Sequence, residues 1–268
     1  MAGAGTREFV SQVLELAVAD SAGAWLRVAF DSDADVSAAA GPHAAIAVCR
    51  HGRGRLENGR LIGRWTTVVG ALSADCVLLP AHEMNRGGEA RRVLVSREDA
   101  GIEGTADGIA AGAVDVTISD LRVDTARIFQ ADDAPGIREA VGVSAVVVGS
   151  ADGMLQQHIR QLRTQLAVSS GAAAVTEAVA AQIARAASDI DASKLQINQS
   201  LCEMPDLEIV IRSCRQAVAR ARAAADHLLE HSRHALDASD PATQRWRDVD
   251  AGSRVAVRVL DGLGAPLG

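Results

Sequence analysis

The stretch from Trp65 to Leu79 constrains the fold of this chain most. A run of aromatic and β-branched residues extends from Trp65 to Val69, a glycine follows at Gly70, and a second apolar run begins at Cys76. Aromatic and β-branched residues favour strands, and a glycine between two such runs is typical of a turn. The stretch therefore predicts two consecutive strands in the core of a β domain.

Further short apolar runs place more strands on both sides of this pair. Asn58-Gly59 lies between two of them and predicts a two-residue hairpin turn, because both residues tolerate positive φ. The polar segment over residues 82–90 is interpreted as a loop. Many short strands separated by glycine turns indicate a compact barrel or sandwich. The predicted strands are Ile46–Cys49, Leu61–Val69, Cys76–Leu79, Val93–Val95, Val114–Ile118 and Leu121–Val123.

Helical periodicity dominates the two ends of the chain. The region Arg7–Phe30 reads as helical, with a break or cap at Asp20-Ser21. In the C-terminal part, apolar residues recur at helical spacing, and Ser169–Gly171 and Pro205 interrupt the pattern. Asp240-Pro241 is a predicted N-cap with proline in the first turn of a further helix. Four helices joined by short breaks predict a four-helix bundle.

Composition excludes several classes of function. The net charge of −7 argues against nucleic-acid binding, which needs a positive face. No apolar run approaches the roughly 20 residues that cross a bilayer, and no basic stretch leads into an apolar segment at the N-terminus, so we expect a cytoplasmic protein without membrane contact. The four cysteines lack paired spacing, so we expect free thiols and no bound metal.

Four phrases of the sequence carry a resemblance to a known family. They are Glu15–Trp25, Gly59–Trp65, Asp120–Asp124 and Pro241–Asp248, the last of which reads PATQRWRD and is the most specific. They resemble the acyl-CoA dehydrogenase superfamily, most closely its branch of two-component flavin-dependent monooxygenases. The resemblance implies an α+β fold. A short N-terminal helical remnant (residues 1–35) would precede a central small β-barrel (36–130) and a C-terminal four-helix bundle (131–268).

The resemblance also implies where a flavin would bind. Trp65 lies on the strand that packs against flavin in this superfamily, and Thr66 and Thr67 could offer a hydroxyl or a backbone N–H to the ring. Arg163 matches the arginine that holds the flavin pyrophosphate across a subunit interface. The implied cofactor is FAD or FMN. The alternatives are that Trp65 fills the core of the β domain and that Arg163 is a solvated helix residue.

The chain departs from the family pattern at several positions that carry chemistry. Val69 replaces a serine next to the flavin, and the segment Gly108–Asp115 lacks an arginine and a serine of the matching family segment. Arg254 lies close to the position of a catalytic histidine, and arginine cannot take up a proton at neutral pH. Glu203 and Glu208 flank a helix start and are more typical of helix-dipole partners than of a base. The catalytic residues therefore stay unassigned, and flavin binding itself can be lost.

Two other groups of polar residues are weaker candidates. His227, His231 and His234 share one helical face, which is more typical of a polar bundle surface than of a metal site. The basic loop Arg50–Arg55 could meet a phosphate of CoA or a nucleotide, although a hairpin tip is the simpler interpretation.

Three hypotheses for function follow. The first is a flavin-dependent oxidoreductase subunit that acts on an acyl thioester or another small molecule, with weakened or lost flavin chemistry. The second is a non-catalytic subunit that assembles as a homo-oligomer, or as a hetero-oligomer with a full-length homologue. The third is a redeployed scaffold that binds a small apolar ligand for non-redox chemistry, with His158, Asp248 or Asp250 as acid–base groups.

Overall fold

A computed structural model describes residues 2–103, 112–131, 136–168, 176–201, 206–230 and 239–265. The helices are α1 Ala2–Ala19, α2 Ser21–Ala29, α3 Ala34–Ala40, α4 Ile137–Val168, α5 Glu177–Ser200, α6 Leu207–Glu230 and α7 Pro241–Leu263. The strands are β1 Ile46–Val48, β2 Arg53–Glu57, β3 Arg60–Val69, β4 Cys76–Glu83, β5 Glu89–Ser96, β6 Gly101–Glu103, β7 Ala113–Arg122 and β8 Ile128–Gln130.

The chain divides into two compact units, each built from separate segments. The first combines Met1–Ala24 with Val141–Val257, and the second combines Trp25–Ala140 with Arg258–Gly268. These units cut across the predicted segments 1–35 and 131–268. The division into three independent domains therefore stays a prediction.

One continuous sheet of eight strands forms the centre of the second unit. The strand order is β6-β7-β3-β2-β4-β5-β8, and β1 pairs with β4 beside this path. β1 and β2 run parallel to β4, whereas the other described pairs are antiparallel. Large apolar side chains on β2, β3, β4 and β5 fill the main core of the sheet, with small residues between them. Fully buried members include Leu56, Leu61, Trp65, Leu79 and Val93.

The turn between β2 and β3 has the predicted hairpin geometry. Asn58 and Gly59 both have positive φ, of 52° and 73°. Glu57 pairs directly with Arg60, so Asn58 and Gly59 alone form the loop. A turn with two left-handed residues matches the twist of the strands it joins, which fixes the register of β3.

The prediction of a polar loop over residues 82–90 is wrong at both ends. β4 continues to Glu83 and β5 begins at Glu89, and these two residues are paired across the strands. The buried guanidinium of Arg91 forms ion pairs with both carboxylates, at 2.8 Å to Glu83 and at a short distance to Glu89. Charged residues therefore continue the ladder here, because a buried arginine neutralises them.

Two other strand predictions also differ from the structure. The runs Val114–Ile118 and Leu121–Val123 were predicted as separate strands, but the single strand β7 covers Ala113–Arg122. The basic loop Arg50–Arg55 is a strand from Arg53 on, because β2 pairs with β3 over that part. Backbone pairing thus continues through positions whose polar side chains had indicated a loop.

Close helix packing characterises the first unit. A Cβ atom on Gly149 of α4 would lie 2.6 Å from the carbonyl oxygen of Leu14 in α1, and a Cβ on Gly153 would lie 2.5 Å from that of Val18. Only hydrogen fits at these two positions, so the backbones of α1 and α4 touch. The alanine-rich sequence makes this spacing possible, since small side chains let helices approach closely.

The four predicted C-terminal helices are present as α4 to α7. Two predicted helix boundaries, one at α7 and one between α1 and α2, have clear causes. Asp240 caps α7 by accepting the backbone N–H of Thr243 at 2.9 Å. Asp20 separates α1 from α2 and accepts the N–H of Gly23 at 3.0 Å. Side-chain oxygens at these positions satisfy N–H groups that have no partner within the helix.

Candidate functional site

The middle of β3 contains an irregularity that the sequence did not reveal. The pairing of β3 with β7 shifts between Trp65 and Val68, so that Thr66 and Thr67 together face a single residue of β7, Asp115. Such a bulge turns side chains and backbone groups out of the regular ladder and is over-represented next to active sites. The two threonines that the sequence analysis selected form this bulge.

Thr67 has an unusual backbone conformation. Its φ is +58°, in the left-handed region that β-branched residues rarely adopt. Holding such a residue there costs on the order of 1–3 kcal/mol. The surrounding structure must therefore stabilise the bulge.

Two side chains hold the peptide bond between Thr66 and Thr67. The carbonyl oxygen of Thr66 accepts a hydrogen bond from Nε2 of His51 at 2.8 Å. The amide N–H of Thr67 donates to Oδ1 of Asp115 at 3.1 Å. Arg64 donates to the other carboxylate oxygen of Asp115 at 2.9 Å, which orients that carboxylate. Both ends of one peptide unit are thus fixed by other parts of the sheet unit.

The threonine side chains differ in exposure. Thr66 is exposed, whereas Thr67 is 5% exposed. Within the part of the chain that the structure describes, no hydrogen bond joins either hydroxyl to another residue. The bulge therefore presents the exposed hydroxyl of Thr66, which a ligand could use, whereas the hydroxyl of Thr67 belongs to a buried residue.

Trp65 precedes the bulge and has no exposed surface. Its indole N–H donates to the carbonyl oxygen of Pro80 at 2.9 Å, and its ring lies against Gly52 and Gly54. Trp65 is thus a core residue of the sheet that anchors β3 to β4. Contact between its ring and a flavin stays a prediction.

His51 belongs to a buried group of polar side chains. Its Nδ1 lies 3.5 Å from Oε1 of Glu139 and 3.8 Å from the sulfur of Cys49. Burial lowers the pKa of His51. The Cys49 sulfur and the Glu139 carboxylate together raise it by more than burial lowers it, so the pKa is well above its ordinary value of 6.5. A protonated ring explains the contacts, because Nδ1 and Nε2 then both donate.

The candidate residues of the other unit have different surroundings. Arg163 is exposed near the end of α4. Arg254 forms a short ion pair with Asp250, and Asp250 also binds Arg222 at 2.7 Å. These partners leave Asp250 neutralised by two arginines. Arg254, which the sequence analysis placed close to the family's catalytic histidine, is thus a permanent cation with its own carboxylate.

Two further acid–base candidates are partly or fully buried. His158 is 7% exposed. Burial raises the pKa of Asp248, Arg245 lowers it, and Asp20 raises it, with a net increase. Asp248 can therefore hold a proton more readily than an exposed aspartate. Glu208 is exposed at the start of α6 and lies 3.6 Å from Arg212.

Several predicted candidates lie outside the described residues. They are Glu203, His231, His234 and the first half of Gly108–Asp115, residues 108–111. Within the described ranges, no three His, Cys, Asp or Glu side chains are grouped in a way that could hold a metal ion. None of the helices in those ranges is sufficiently long and apolar to span a bilayer.

The sequence analysis missed three residues that shape the bulge, namely His51, Glu139 and Asp115. Asp115 lies in the segment that was compared with the family, but nothing local indicated a bond to Thr67. His51 and Glu139 are far apart in sequence and meet only through the fold. The basic phrase around His51 had drawn attention to phosphate binding instead. Arg50 of that phrase pairs with Asp31 at 3.8 Å and has only 9% of its side chain exposed.

Comparison with known proteins identifies the fold. No protein-family model matches the chain. No curated protein matches it either. The solved structures of similar fold include the 3-HSA hydroxylase of Rhodococcus sp. RHA1, with a TM-score of 0.73 and 22% identity over 92% of this chain and 77% of that one.

Two further structures extend this comparison. Butyryl-CoA dehydrogenase of Megasphaera elsdenii has a TM-score of 0.69 and 13% identity over 94% of this chain and 80% of its own. The complex of TdsC from Paenibacillus sp. A11-2 with FMN and indole has a TM-score of 0.62 and 14% identity over 93% and 79%. The chain therefore has the acyl-CoA dehydrogenase fold, which confirms the α+β fold class that the resemblance implied.

Proposed function

We propose that this chain, with its acyl-CoA dehydrogenase fold, is an oxidoreductase-type subunit that binds a flavin at the Thr66–Thr67 bulge and has weakened flavin chemistry. The observation that carries the proposal is the left-handed conformation of Thr67. A β-branched residue is kept in this conformation at an energetic cost, and such strain clusters at ligand sites. The strained residue coincides with the position that the family resemblance links to flavin.

The polar groups of the bulge suit the edge of a flavin ring. The exposed Thr66 hydroxyl can donate a hydrogen bond to an oxygen or nitrogen atom of the ring. Trp65 supports the bulge from the core through its bond to Pro80. Val69 contributes only methyl groups where the resembling family has a hydroxyl. If the cofactor is FAD, the exposed Arg163 on α4 would bind its pyrophosphate across a subunit interface, as the resemblance implies.

A bound flavin supplies electron transfer to or from a substrate. The chain's own residues limit the accompanying proton transfer. Arg254 stays protonated and is engaged by Asp250, so it cannot act as a base. TdsC has been solved with FMN and indole, and a small aromatic molecule or an acyl thioester is the substrate class that fits the fold comparisons.

A titration with FMN and FAD tests this proposal. Purified protein should quench flavin fluorescence, and Thr66→Ala should weaken binding about tenfold by removing one hydroxyl donor near the ring. Thr125→Ala is the matched control, since Thr125 is an exposed threonine of the same unit outside the bulge. Protein that binds neither flavin would refute the proposal.

Non-catalytic assembly is a second candidate function, supported by exposed apolar residues in the first unit. Leu195 of α5 is 60% exposed and Ile209 of α6 is 54% exposed. The family resemblance implies oligomer contacts through these C-terminal helices. A homo-oligomer or a hetero-oligomer with a full-length homologue would cover both side chains.

Light scattering after size-exclusion chromatography separates these assemblies. Colourless protein that becomes stable and oligomeric only when co-expressed with a homologue supports the non-catalytic subunit. An oligomer formed by the chain alone, lost in Leu195→Asp, supports self-association. A monodisperse monomer under both conditions would exclude this second candidate.

A further inference from the structure

Given the flavin site proposed above, on which this inference rests, we propose that His51 and Glu139 are positioning residues that lock the Thr66–Thr67 peptide in the orientation needed for ligand contact. The Thr66 carbonyl and the Thr67 N–H belong to the same peptide unit. His51 binds the first group and Asp115 binds the second. Rotation of this peptide would break both bonds.

Peptide orientation determines the conformation of Thr67. Rotating the unit by half a turn changes φ of Thr67 and ψ of Thr66 together, which would move Thr67 out of its left-handed conformation at +58°. Thr67 alone would favour that change, since negative φ is less strained for a β-branched residue. The two hydrogen bonds therefore hold the bulge against its intrinsic preference.

Burial protects the hydrogen bond between His51 and the Thr66 carbonyl from competition by water. Only 1% of the His51 side chain and 8% of the Glu139 side chain are exposed, so water does not compete well for these groups. A Cβ atom on Gly262 of α7 would lie 2.6 Å from Cδ2 of His51, which shows that the ring fills its space on that side. The imidazole is closely packed on this side, and its Nε2 is directed to the Thr66 carbonyl.

Glu139 sets the orientation and protonation of the ring. Its Oε1 faces Nδ1 of His51, and its Oε2 accepts the backbone N–H of Arg50 at 3.2 Å. The Cys49 thiol donates to the backbone carbonyl of His51 at 3.0 Å, which places its sulfur near Nδ1. Loss of the Nδ1 proton would leave a lone pair facing the carboxylate and would displace the ring. The groups that face His51 are thus Cys49, Glu139, the Thr66 carbonyl and Gly262.

A comparison of two His51 variants shows whether the residue acts through its hydrogen bond to Thr66 or only by filling space. In His51→Gln the amide N–H₂ can still donate to Thr66, whereas His51→Leu fills similar space without a donor. His82→Leu is the matched control, because Nδ1 of His82 also contacts a backbone carbonyl of the same unit, that of Gly88 in the turn before β5, at 3.1 Å. Glu139→Gln keeps the side-chain shape and removes the charge.

Amide hydrogen exchange of Thr67 in the flavin-free protein, measured by NMR, tests directly whether His51 and Glu139 hold the Thr66–Thr67 peptide. We expect about tenfold faster exchange in His51→Leu, a change within about threefold in His51→Gln, and no change in His82→Leu. Flavin affinity should follow the same order. Wild-type affinity should fall at alkaline pH, and His51→Gln should remove that pH dependence.

The outcomes distinguish this inference from the proposed function. If Thr67 exchange is unchanged in His51→Leu, then His51 does not hold the Thr66–Thr67 peptide, even if wild-type protein binds flavin. Faster exchange together with no flavin binding by wild-type protein keeps the lock and overturns its role for flavin, along with the proposed function. If His51→Leu does not fold, Glu139→Gln decides, because Thr67 exchange that matches the wild type at every pH would refute the role of the pair.

Discussion

The indole N–H of Trp65 donates to the carbonyl oxygen of Pro80 over 2.9 Å and joins β3 to β4 at the base of the bulge. The ring has no exposed surface and covers two glycines on β2 and the segment before it, Gly52 and Gly54. This arrangement makes Trp65 a structural support for the proposed site.

Replacing this indole should therefore cost stability. Trp65→Phe removes the hydrogen bond to the Pro80 carbonyl and opens a small cavity in the core, so we expect the free energy of unfolding to fall by about 2–3 kcal/mol. Urea denaturation followed by circular dichroism measures this loss. A change below about 0.5 kcal/mol would contradict the structural role.

Gly54 should not tolerate a side chain. A Cβ atom there would contact Cζ2 of Trp65 and lie 2.9 Å from the Pro80 carbonyl oxygen. Because neither neighbour can move freely, Gly54→Ala should lower the melting temperature and destabilise the fold by about 2–3 kcal/mol. Gly5→Ala is the control, since nothing lies within 4 Å of its Cβ position in α1. Equal melting temperatures for the two variants would refute the packing argument.

The strain at Thr67 predicts an unusual response to glycine. Glycine adopts positive φ without steric cost, so relief of strain should offset the added entropy of the unfolded chain. We expect Thr67→Gly to change the free energy of unfolding by less than about 1 kcal/mol while flavin affinity decreases. Thr117→Gly, in the regular part of β7, should cost more. A larger stability loss at Thr67 than at Thr117 would show that the bulge is not strained.

The buried histidine predicts a pH dependence of stability. The pKa of His51 is raised in the folded protein, because the Cys49 sulfur and the Glu139 carboxylate outweigh the opposing effect of burial. The proton therefore stabilises the folded state fully below the unfolded pKa of about 6.5. As pH rises from there to the folded pKa, stability should fall by at most about 1.4 kcal/mol per pH unit. Urea midpoints between neutral and alkaline pH measure the slope, and an equal slope in His51→Gln would contradict this assignment.

Asp31 should contribute more to the stability of the folded protein than an exposed aspartate does. Arg138 forms a short ion pair with it, Arg27 donates at 3.2 Å, and Arg50 binds its carbonyl at 2.9 Å. Burial raises the pKa of Asp31, but the hydrogen bond and charge of Arg138 and the charge of Arg50 lower it overall. Its contribution to stability is thus present above the unfolded pKa of about 3.9 and is lost as pH falls through the lower folded pKa.

The variant Asp31→Asn separates this cluster from an ordinary surface pair. It leaves three guanidinium groups without their carboxylate, so we expect a loss of about 2–4 kcal/mol in the free energy of unfolding. The control Asp120→Asn breaks the exposed pair with Arg60 and should cost less than about 1 kcal/mol. Similar losses in both variants would show that the cluster at Asp31 adds nothing to stability.

The turns and helix caps could be predicted from the sequence, because neighbouring residues alone determine them. Asn58-Gly59 predicted its hairpin because only a few residues accept two consecutive positive φ values, and Asp240 predicted its cap because its carboxylate satisfies a nearby N–H. The bulge at Thr66 and Thr67 depends instead on Asp115 and on His51 with Glu139. Each of these partners reaches β3 from a distant part of the chain, so no local pattern predicts the bond.

The contact of α1 with Gly149 and Gly153 also affects the order in which the chain can fold. The ribosome makes α1 before α4, and the glycines that receive α1 emerge more than a hundred residues later. Until then, the side of α1 that packs on Gly149 and Gly153 lacks this partner and stays exposed. Slower translation before α4 would lengthen that exposure.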